Sequence, residues 1–463
     1  MINLPNTALI TQDEELSYEG LLALADTIVE AIPERSLVFL VASNSVPSIA
    51  GYVGLLRKHA VPIMVRDQST EEQLAGLVES YVPQYWWAPC AFCETMKRAI
   101  GSSKVLFEDR GYCLLATGTS PAVLHPDLAL LLTTSGSTGT PKFVRLSYEN
   151  LESNARSIAE YQDITSADRA ITTLPFSYSY GISIVNSHLL QGASIVLTEE
   201  GVLSRGFWNL LKETEATNFG GVPYTYSMLE KLRFGRMELP SLRFVSQAGG
   251  RLGERLQELF GTVCAEKGIR FFVMYGQTEA TARMSWLPPE RVLSKLGSIG
   301  VAIPGGAFEL RDAEGHVIEI DNVSGELVYH GCNVSMGYAE NREDLAKEDE
   351  NAGILLTGDM AKRDEDGYYY IVGRKKRFLK MFGNRVNLDE MEDIFSRRGY
   401  EIACVGEDDR MVVFSTGEDT DGLRSQLASE TKLYPKAFDV RYMSELPRTS
   451  SGKLDYASLE ELC

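Results

Sequence analysis

The sequence predicts an α/β protein of more than one domain, and three observations carry that prediction. Apolar, strand-like runs alternate with amphipathic helical segments over the first 280 residues or so. Polar loops rich in glycine and hydroxyl groups recur where the strand-like runs end. From about residue 297 the texture changes to short segments punctuated by glycine and turn residues, and a chain of 463 residues exceeds a single hydrophobic core.

Taken in order, Ser17 is placed to cap a helix over 18–32, with Leu21, Leu24, Ile28 and Ile32 on one face. Residues 37–41 form a buried-strand run, 46–57 a helix, 61–65 the next strand and 71–81 another helix. This β-α-β rhythm calls for doubly wound parallel sheets with helices on both faces. A strand over 128–132 empties into a loop at 133–142, and in such sheets ligands bind beyond the carboxyl ends of strands. Residues 148–161 read as a helix, 182–190 as an apolar segment, 192–197 as a strand and 207–215 as a helix. The stretch 218–223 reads as a loop. A strand over 244–252 enters a glycine turn, a helix covers 254–267, and a strand over 270–274 ends on Tyr275-Gly276-Gln277-Thr278-Glu279-Ala280. Beyond 297, Gly-rich punctuation predicts a small twisted β subdomain, with two strands and a hairpin turn over 355–373. The basic run Arg374-Lys375-Lys376-Arg377 is either a solvated loop or a linker to a separate C-terminal domain.

Composition narrows the function classes. A formal charge of −19 argues against a nucleic-acid or anionic-membrane partner, since both need a basic surface. It leaves room for a small anionic ligand, which needs only local positive charge. No basic region followed by an apolar one opens the chain and no stretch is long enough to span a bilayer, so a cytoplasmic protein is expected. Seven dispersed cysteines fit reduced thiols. Cys90 and Cys93 are spaced C-x-x-C, but no second pair follows at metal-site spacing, which favours buried or semi-buried thiols over a zinc or redox site.

The loop Thr134-Ser135-Gly136-Ser137-Thr138-Gly139-Thr140-Pro141-Lys142 suits a polyphosphate. Glycines let backbone N–H groups approach the anion, the hydroxyls donate further bonds, and Lys142 adds a point charge. It lacks Walker A spacing, and by itself it equally fits a surface turn.

Together with Tyr-Gly-Gln-Thr-Glu-Ala (275–280), Thr-Gly-Asp (357–359), Gly-Arg-Lys-Lys (373–376) and Pro-Arg-Thr-Ser-Ser-Gly-Lys (447–453), that loop resembles the adenylate-forming superfamily. This superfamily includes acyl- and aryl-CoA synthetases, peptide-synthetase adenylation domains and firefly luciferase. The five stretches stand in family order, and the resemblance covers the chain after about residue 125. It implies a large N-terminal adenylation domain (1–373) and a small mobile α+β lid (374–463). It also implies a two-step reaction in which ATP and a small carboxylic acid form an acyl adenylate, and a thiol then captures the acyl group.

The resemblance assigns roles residue by residue. Thr134 to Gly139 and Lys142 would hold the β- and γ-phosphates, Thr278 the α-phosphate, and Glu279 with Thr138 a Mg²⁺ ion. Glu279 equally suits a helix N-terminus. Gly249, Gly250 and Arg251 would line the adenine beside Tyr275, Gly276 and Gln277, while Asp359 and Arg374 would reach the ribose. Tyr178, Ser179, Phe219 and Gly220 would form the acid pocket. Lys453 would bridge the carboxylate and α-phosphate, Lys376 would be the hinge, and Gly383 would approach the thiol arm.

Departures from the family pattern bear on substrate choice. Phe143 follows Lys142 where glycine is usual, and Ser147-Tyr148-Glu149-Asn150 lacks a histidine often seen there. Tyr178 replaces a histidine common in CoA ligases, and Ser179 stands where peptide synthetases place an aspartate, which disfavours α-amino acids. CoA is the expected acceptor, with the phosphopantetheine of an acyl carrier protein as the alternative. A nucleotide-binding regulator without catalysis is the rival from another class.

Overall fold

The computed structural model describes residues 5–463 apart from 68, 93, 95–97, 99–102, 134–141, 376, 383, 450 and 451. Side-chain alternation along its strands sorts the core into layers. In the strand Leu37–Ala42, Leu37, Phe39 and Val41 join a hydrophobic cluster with Leu74, Leu77 and Tyr81 of the helix Glu71–Tyr81. Val38, Leu40 and Ala42 point the other way, to Leu21 and Ile28 of the helix Tyr18–Ile28 and Ile49 and Leu55 of the helix Val46–Arg57. That inner cluster also takes Leu9, Ala170 and Ile195 from a second sheet. Their neighbours Ile10, Ile171 and Val196 turn to an outer cluster with Phe207, Leu211 and Phe260. Two sheets therefore face each other across shared helices, each with further helices on its outer side.

The first sheet has eight strands in the order Tyr338–Ala339, Phe143–Ser147, Leu128–Thr133, Val61–Arg66, Leu37–Ala42, Tyr85–Pro89, Tyr112–Ala116, Lys104–Asp109. Its central pairings are parallel, and both edges are antiparallel. In the nine-stranded second sheet, the strands from Thr7–Ile10 to Arg270–Tyr275 all pair in parallel. Parallel strands covered on both faces need continuous apolar runs, which is why Leu37–Ala42, Val61–Arg66, Leu128–Thr133 and Arg270–Tyr275 stand out as strands in the sequence.

A four-stranded antiparallel sheet follows (Gly306–Arg311, Gly325–Gly331, Ile354–Arg363, Tyr369–Arg374), as the turn-punctuated texture predicts. From Phe378 onward the chain forms a hairpin, a three-stranded sheet and the helices Leu388–Arg397, Thr420–Thr431 and Tyr456–Glu460. This part has two hydrophobic clusters made only of its own residues. Among the described residues, no helix is long and apolar enough to cross a membrane.

Several expectations are corrected. The helix from Tyr18 stops at Ile28, though its cap is as expected, with Ser17 accepting from the N–H of Gly20. The stretch read as a loop at 218–223 is the buried strand Asn218–Gly221 followed by the helix Pro223–Lys231. Its glycines mask its strand character, and packing demands them: a Cβ on Gly220 would lie 2.8 Å from the Tyr180 hydroxyl oxygen. Cys90 of the C-x-x-C pair is half-buried, in line with the reading of that pair, while Cys93 lies outside the described residues.

The helix Ser179–Leu190 carries one buried titratable group with a consequence for stability. Burial pulls the His188 imidazole down to about 4, with the nearby Arg283 charge adding to the effect and Asp168 opposing it. Nδ1 faces the Ile184 carbonyl at 2.8 Å and Nε2 faces the Asn218 amide nitrogen at 3.1 Å, a pairing suited to the neutral ring. The unfolded chain takes up this proton near pH 6.5, whereas the folded chain refuses it until about pH 4. Stability from this group is thus complete above pH 6.5 and is lost as pH falls, up to about 3 kcal/mol in total. Melting temperature is expected to drop between about pH 7 and pH 5, and His188→Gln to flatten that part of the profile.

Candidate active site

The strands Asn218–Gly221, Phe244–Gln247 and Arg270–Tyr275 lie in register, with Gly221 opposite Gln247 and Gln247 opposite Val273. The loops leaving their carboxyl ends are therefore neighbours. Two glycines set how closely they pack. A Cβ on Gly276 would collide with the carbonyl oxygen of Ala282, and one on Gly249 (φ +81°) would stand 2.6 Å from the Tyr178 hydroxyl oxygen.

Beside Tyr275 the first loop meets the antiparallel sheet. The Tyr275 hydroxyl donates to Asp359 Oδ2 at 2.5 Å, and Gln277 Nε2 donates to the same oxygen and to the Thr357 carbonyl, each at 3.0 Å. Arg374, directly across the strand pair from Asp359, brings Nε to 3.5 Å from Oδ1. Burial raises the Asp359 carboxyl above the usual carboxylate range, against these donors and the Arg374 charge. Burial beside that carboxylate also pushes the Tyr275 phenol far above its ordinary value. A Gly-Asp pair that alone resembles a turn is thus a built acceptor with a cation at its open oxygen.

Thr278 and Glu279 sit in the single-turn 3-10 helix Thr278–Ala280. Thr278 Oγ1 is 3.0 Å from Ser179 Oγ, at the start of the helix Ser179–Leu190. Glu279 Oε1 accepts from the Tyr338 hydroxyl at 2.7 Å. Tyr338 belongs to the short strand Tyr338–Ala339 that pairs with Phe143–Ser147, and Glu340, just past that strand, holds Lys142 Nζ at 2.5 Å. Fully buried Arg145 fixes this strand by donating to the carbonyls of Met336 (2.5 Å), Lys347 (2.6 Å) and Glu348 (3.1 Å) and to Glu350 (2.9 Å). Tyr338, Glu340 and Arg145 did not stand out in the sequence. Thr134, Ser135, Gly136, Ser137, Thr138, Gly139, Lys376 and Gly383 lie outside the described residues.

The last loop brings a lysine into this group. The Thr449 N–H donates to the Lys453 carbonyl and the Gly452 N–H to the Thr449 carbonyl, both at 2.8 Å. Gly452 (φ +78°) leaves only enough room beside Val222 for a residue without Cβ, and Arg448 lies over the Tyr224 ring at 5.4 Å. Lys453 Nζ lies 5.8 Å from the centre of the Tyr178 ring. Burial and then the Arg374 charge hold its ammonium below the ordinary lysine range, while Glu279 and Asp359 pull it up.

Two residues go elsewhere. Arg251 directs its guanidinium to Asp393, beside a second pair in which Arg397 meets Glu254 at 2.7 Å. Phe219 packs in the outer core with Phe207, Trp208 and Phe234, because strand alternation turns it away from Gly220.

A family model described as AMP-binding enzyme matches residues 5–339. The chain belongs to this family. Within it the chain is an AMP-forming ligase of the adenylate-forming superfamily. It is 30% identical over 358 residues to an oxalate–CoA ligase of Arabidopsis thaliana, covering 72% of this chain and 67% of that one. It is 28% identical over 470 residues to a probable CoA ligase, CCL9, of Humulus lupulus, covering 92% and 86%. The fold matches that of O-succinylbenzoate coenzyme A synthetase from Bacillus subtilis in complex with ATP and magnesium ion, with a TM-score of 0.79 at 21% identity over 98% and 96% of the chains.

The Tyr275–Asp359 bond gives a first test of where a nucleotide sits in this AMP-binding enzyme. Tyr275→Phe is expected to weaken AMP binding roughly tenfold, the loss of one hydrogen bond to a charged group. Titration calorimetry measures this, and unchanged affinity would place the nucleotide away from Asp359.

Proposed function

We propose that this enzyme joins a small carboxylic acid to CoA in two steps. In the first, an oxygen of the acid attacks the α-phosphorus of ATP and pyrophosphate leaves. In the second, the CoA thiolate attacks the acyl carbon and AMP leaves. Both reactants of the first step are anionic, so positive charge and in-line positioning do most of the catalytic work. The observation that carries this reading is Lys453 at the Tyr178 ring, under the charges of Arg374, Glu279 and Asp359, with Arg374 paired to Asp359: two cations at one site of a chain with net charge −19.

In this reading Lys453 neutralises charge between the acid and the α-phosphate, and Thr278 orients that phosphate. Asp359 accepts from the ribose hydroxyls and Arg374 supports it. The hard oxygens of Glu279 and Thr138 suit Mg²⁺, which supplies charge neutralisation on the polyphosphate. The chain divides into an adenylation domain (1–373) and a lid (374–463) that carries Lys453 away before the thiol arrives, with Lys376 as hinge and Gly383 beside the thiol arm. CoA as acceptor is supported by the CoA ligases among the similar proteins. A carrier-protein acceptor would instead appear as acyl transfer to a phosphopantetheine arm with CoA left unused.

Acid-dependent ATP–pyrophosphate exchange tests the first step. Lys453→Ala is expected to lower it by roughly 100-fold or more, as loss of an oxyanion donor does, while largely sparing CoA acylation from a supplied acyl adenylate. Equal loss in both half-reactions would overturn the assignment. The depressed Lys453 ammonium also predicts a pH profile. Exchange should decline on the alkaline side before the ordinary lysine range, since deprotonation removes the charge, and Lys453→Arg should move that limb upward.

A further inference from the structure

Arg283 is a fully buried cation whose described partners are all neutral. Its Nε donates to Ser183 Oγ at 3.2 Å, and its Nη1 donates to the Tyr161 hydroxyl at 3.2 Å and to Met274 Sδ at 2.7 Å. The guanidinium lies over the Tyr180 ring at 4.2 Å. Nη2 has no hydrogen-bond partner among the described residues. Two more buried polar atoms without a partner among the described residues, Asn154 Oδ1 and Ser157 Oγ, lie on the helical face that meets it. Asn154 Nδ2 donates to the Arg283 carbonyl, and Tyr161 completes that face. Equally buried Arg145 shows the contrast: four acceptors surround it, and one is the carboxylate of Glu350. A buried charge left without a counter-charge is costly, so Arg283 calls for an anion that the described chain does not supply.

The position of Arg283 relative to the reacting centre indicates where that anion comes from. Residues 278–283 run beside the helix Ser179–Leu190, with Thr278 touching Ser179 and Arg283 touching Ser183. Ser179 and Ser183 are one helical turn apart, about 6 Å along the axis. The Tyr180 ring packs against the guanidinium, and Gly220 makes room for its hydroxyl. An acid that reacts beside Thr278 and Lys453 and points inward therefore directs its tail toward Arg283.

We propose that Arg283 reads the tail of the acid, and that the substrate carries a second anionic group, a carboxylate or sulfonate, about one helical turn from the reacting carboxylate. This rests on the acid-ligase reading above. An apolar tail of the same length leaves the guanidinium unpaired, which is the condition under which a buried polar site discriminates strongly.

The test compares acids matched in length, succinate with butyrate and glutarate with pentanoate, by kcat/KM in ATP–pyrophosphate exchange. The wild-type enzyme is expected to prefer the diacid by at least about tenfold. Arg283→Met is expected to abolish that preference, chiefly by raising KM for the diacid, and Arg283→Lys to keep part of it. A merely structural role would lower the rate for both members of a pair and leave their ratio unchanged, which would overturn the inference. If Arg283→Met does not fold, the wild-type ratio and Arg283→Lys decide. Activity confined to acids without a second anion overturns this inference alone, whereas silence with every acid overturns the ligase reading and this inference with it.

Discussion

Burial alone favours the protonated form of Asp359, yet the surrounding elements oppose it from several directions. Tyr275 and Gln277 donate from the loop of the parallel sheet, and Arg374 faces it across the antiparallel sheet. One carboxylate thus fastens two sheets of different construction, with the polypeptide toward Lys453 leaving directly from Arg374. The rest of the site is arranged around this joint. The register of the parallel strands brings the neighbouring loops to the same edge, and the antiparallel sheet presents Asp359 to them from the side.

Charge in this enzyme is distributed with a purpose that net charge conceals. The chain is strongly acidic overall, which disfavours nucleic acid. Yet the Arg374 charge acts on the buried Lys453, Arg283 lies one helical turn from Thr278, and Glu340 holds Lys142. The Tyr338–Glu279 and Glu340–Lys142 contacts show how one short strand addresses both a carboxylate and a cation of the site. Its own placement depends on the fully buried Arg145, so a residue remote from the chemistry determines where two site groups stand.

Much of this was legible in the sequence where local physics decides the outcome. Parallel strands buried on both faces must be continuously apolar, and Ser17 announces its helix. Local reading failed where the deciding partner is distant. The Asn218–Gly221 strand looks like a loop because two of its residues are glycine, and the reason for Gly220 is Tyr180, forty residues earlier. The resemblance assigns Phe219 to the acid pocket together with Gly220, but period-two alternation sends the two to opposite faces and Phe219 to the outer core. The hairpin of Lys104–Asp109 and Tyr112–Ala116 gives little signal in the sequence, being an edge addition whose pairing partner, Tyr85–Pro89, lies outside it. Arg283 carried no signal, since its meaning lies in the charge partner it lacks.

The C-terminal segment is held to the remainder by contacts of a particular kind. Arg251–Asp393 and Arg397–Glu254 are partly exposed ion pairs, as is Lys375–Glu326 near the start of the segment. Exposed pairs of this sort contribute about 0–1 kcal/mol each and weaken with salt. Gly452 adds close packing on Val222. Against this, the segment has two hydrophobic clusters of its own, containing no residue from the larger part. Its internal cohesion therefore far exceeds its attachment. An element built in this way can leave as a unit without exposing a core, which is the physical requirement that the proposed withdrawal of Lys453 between half-reactions sets.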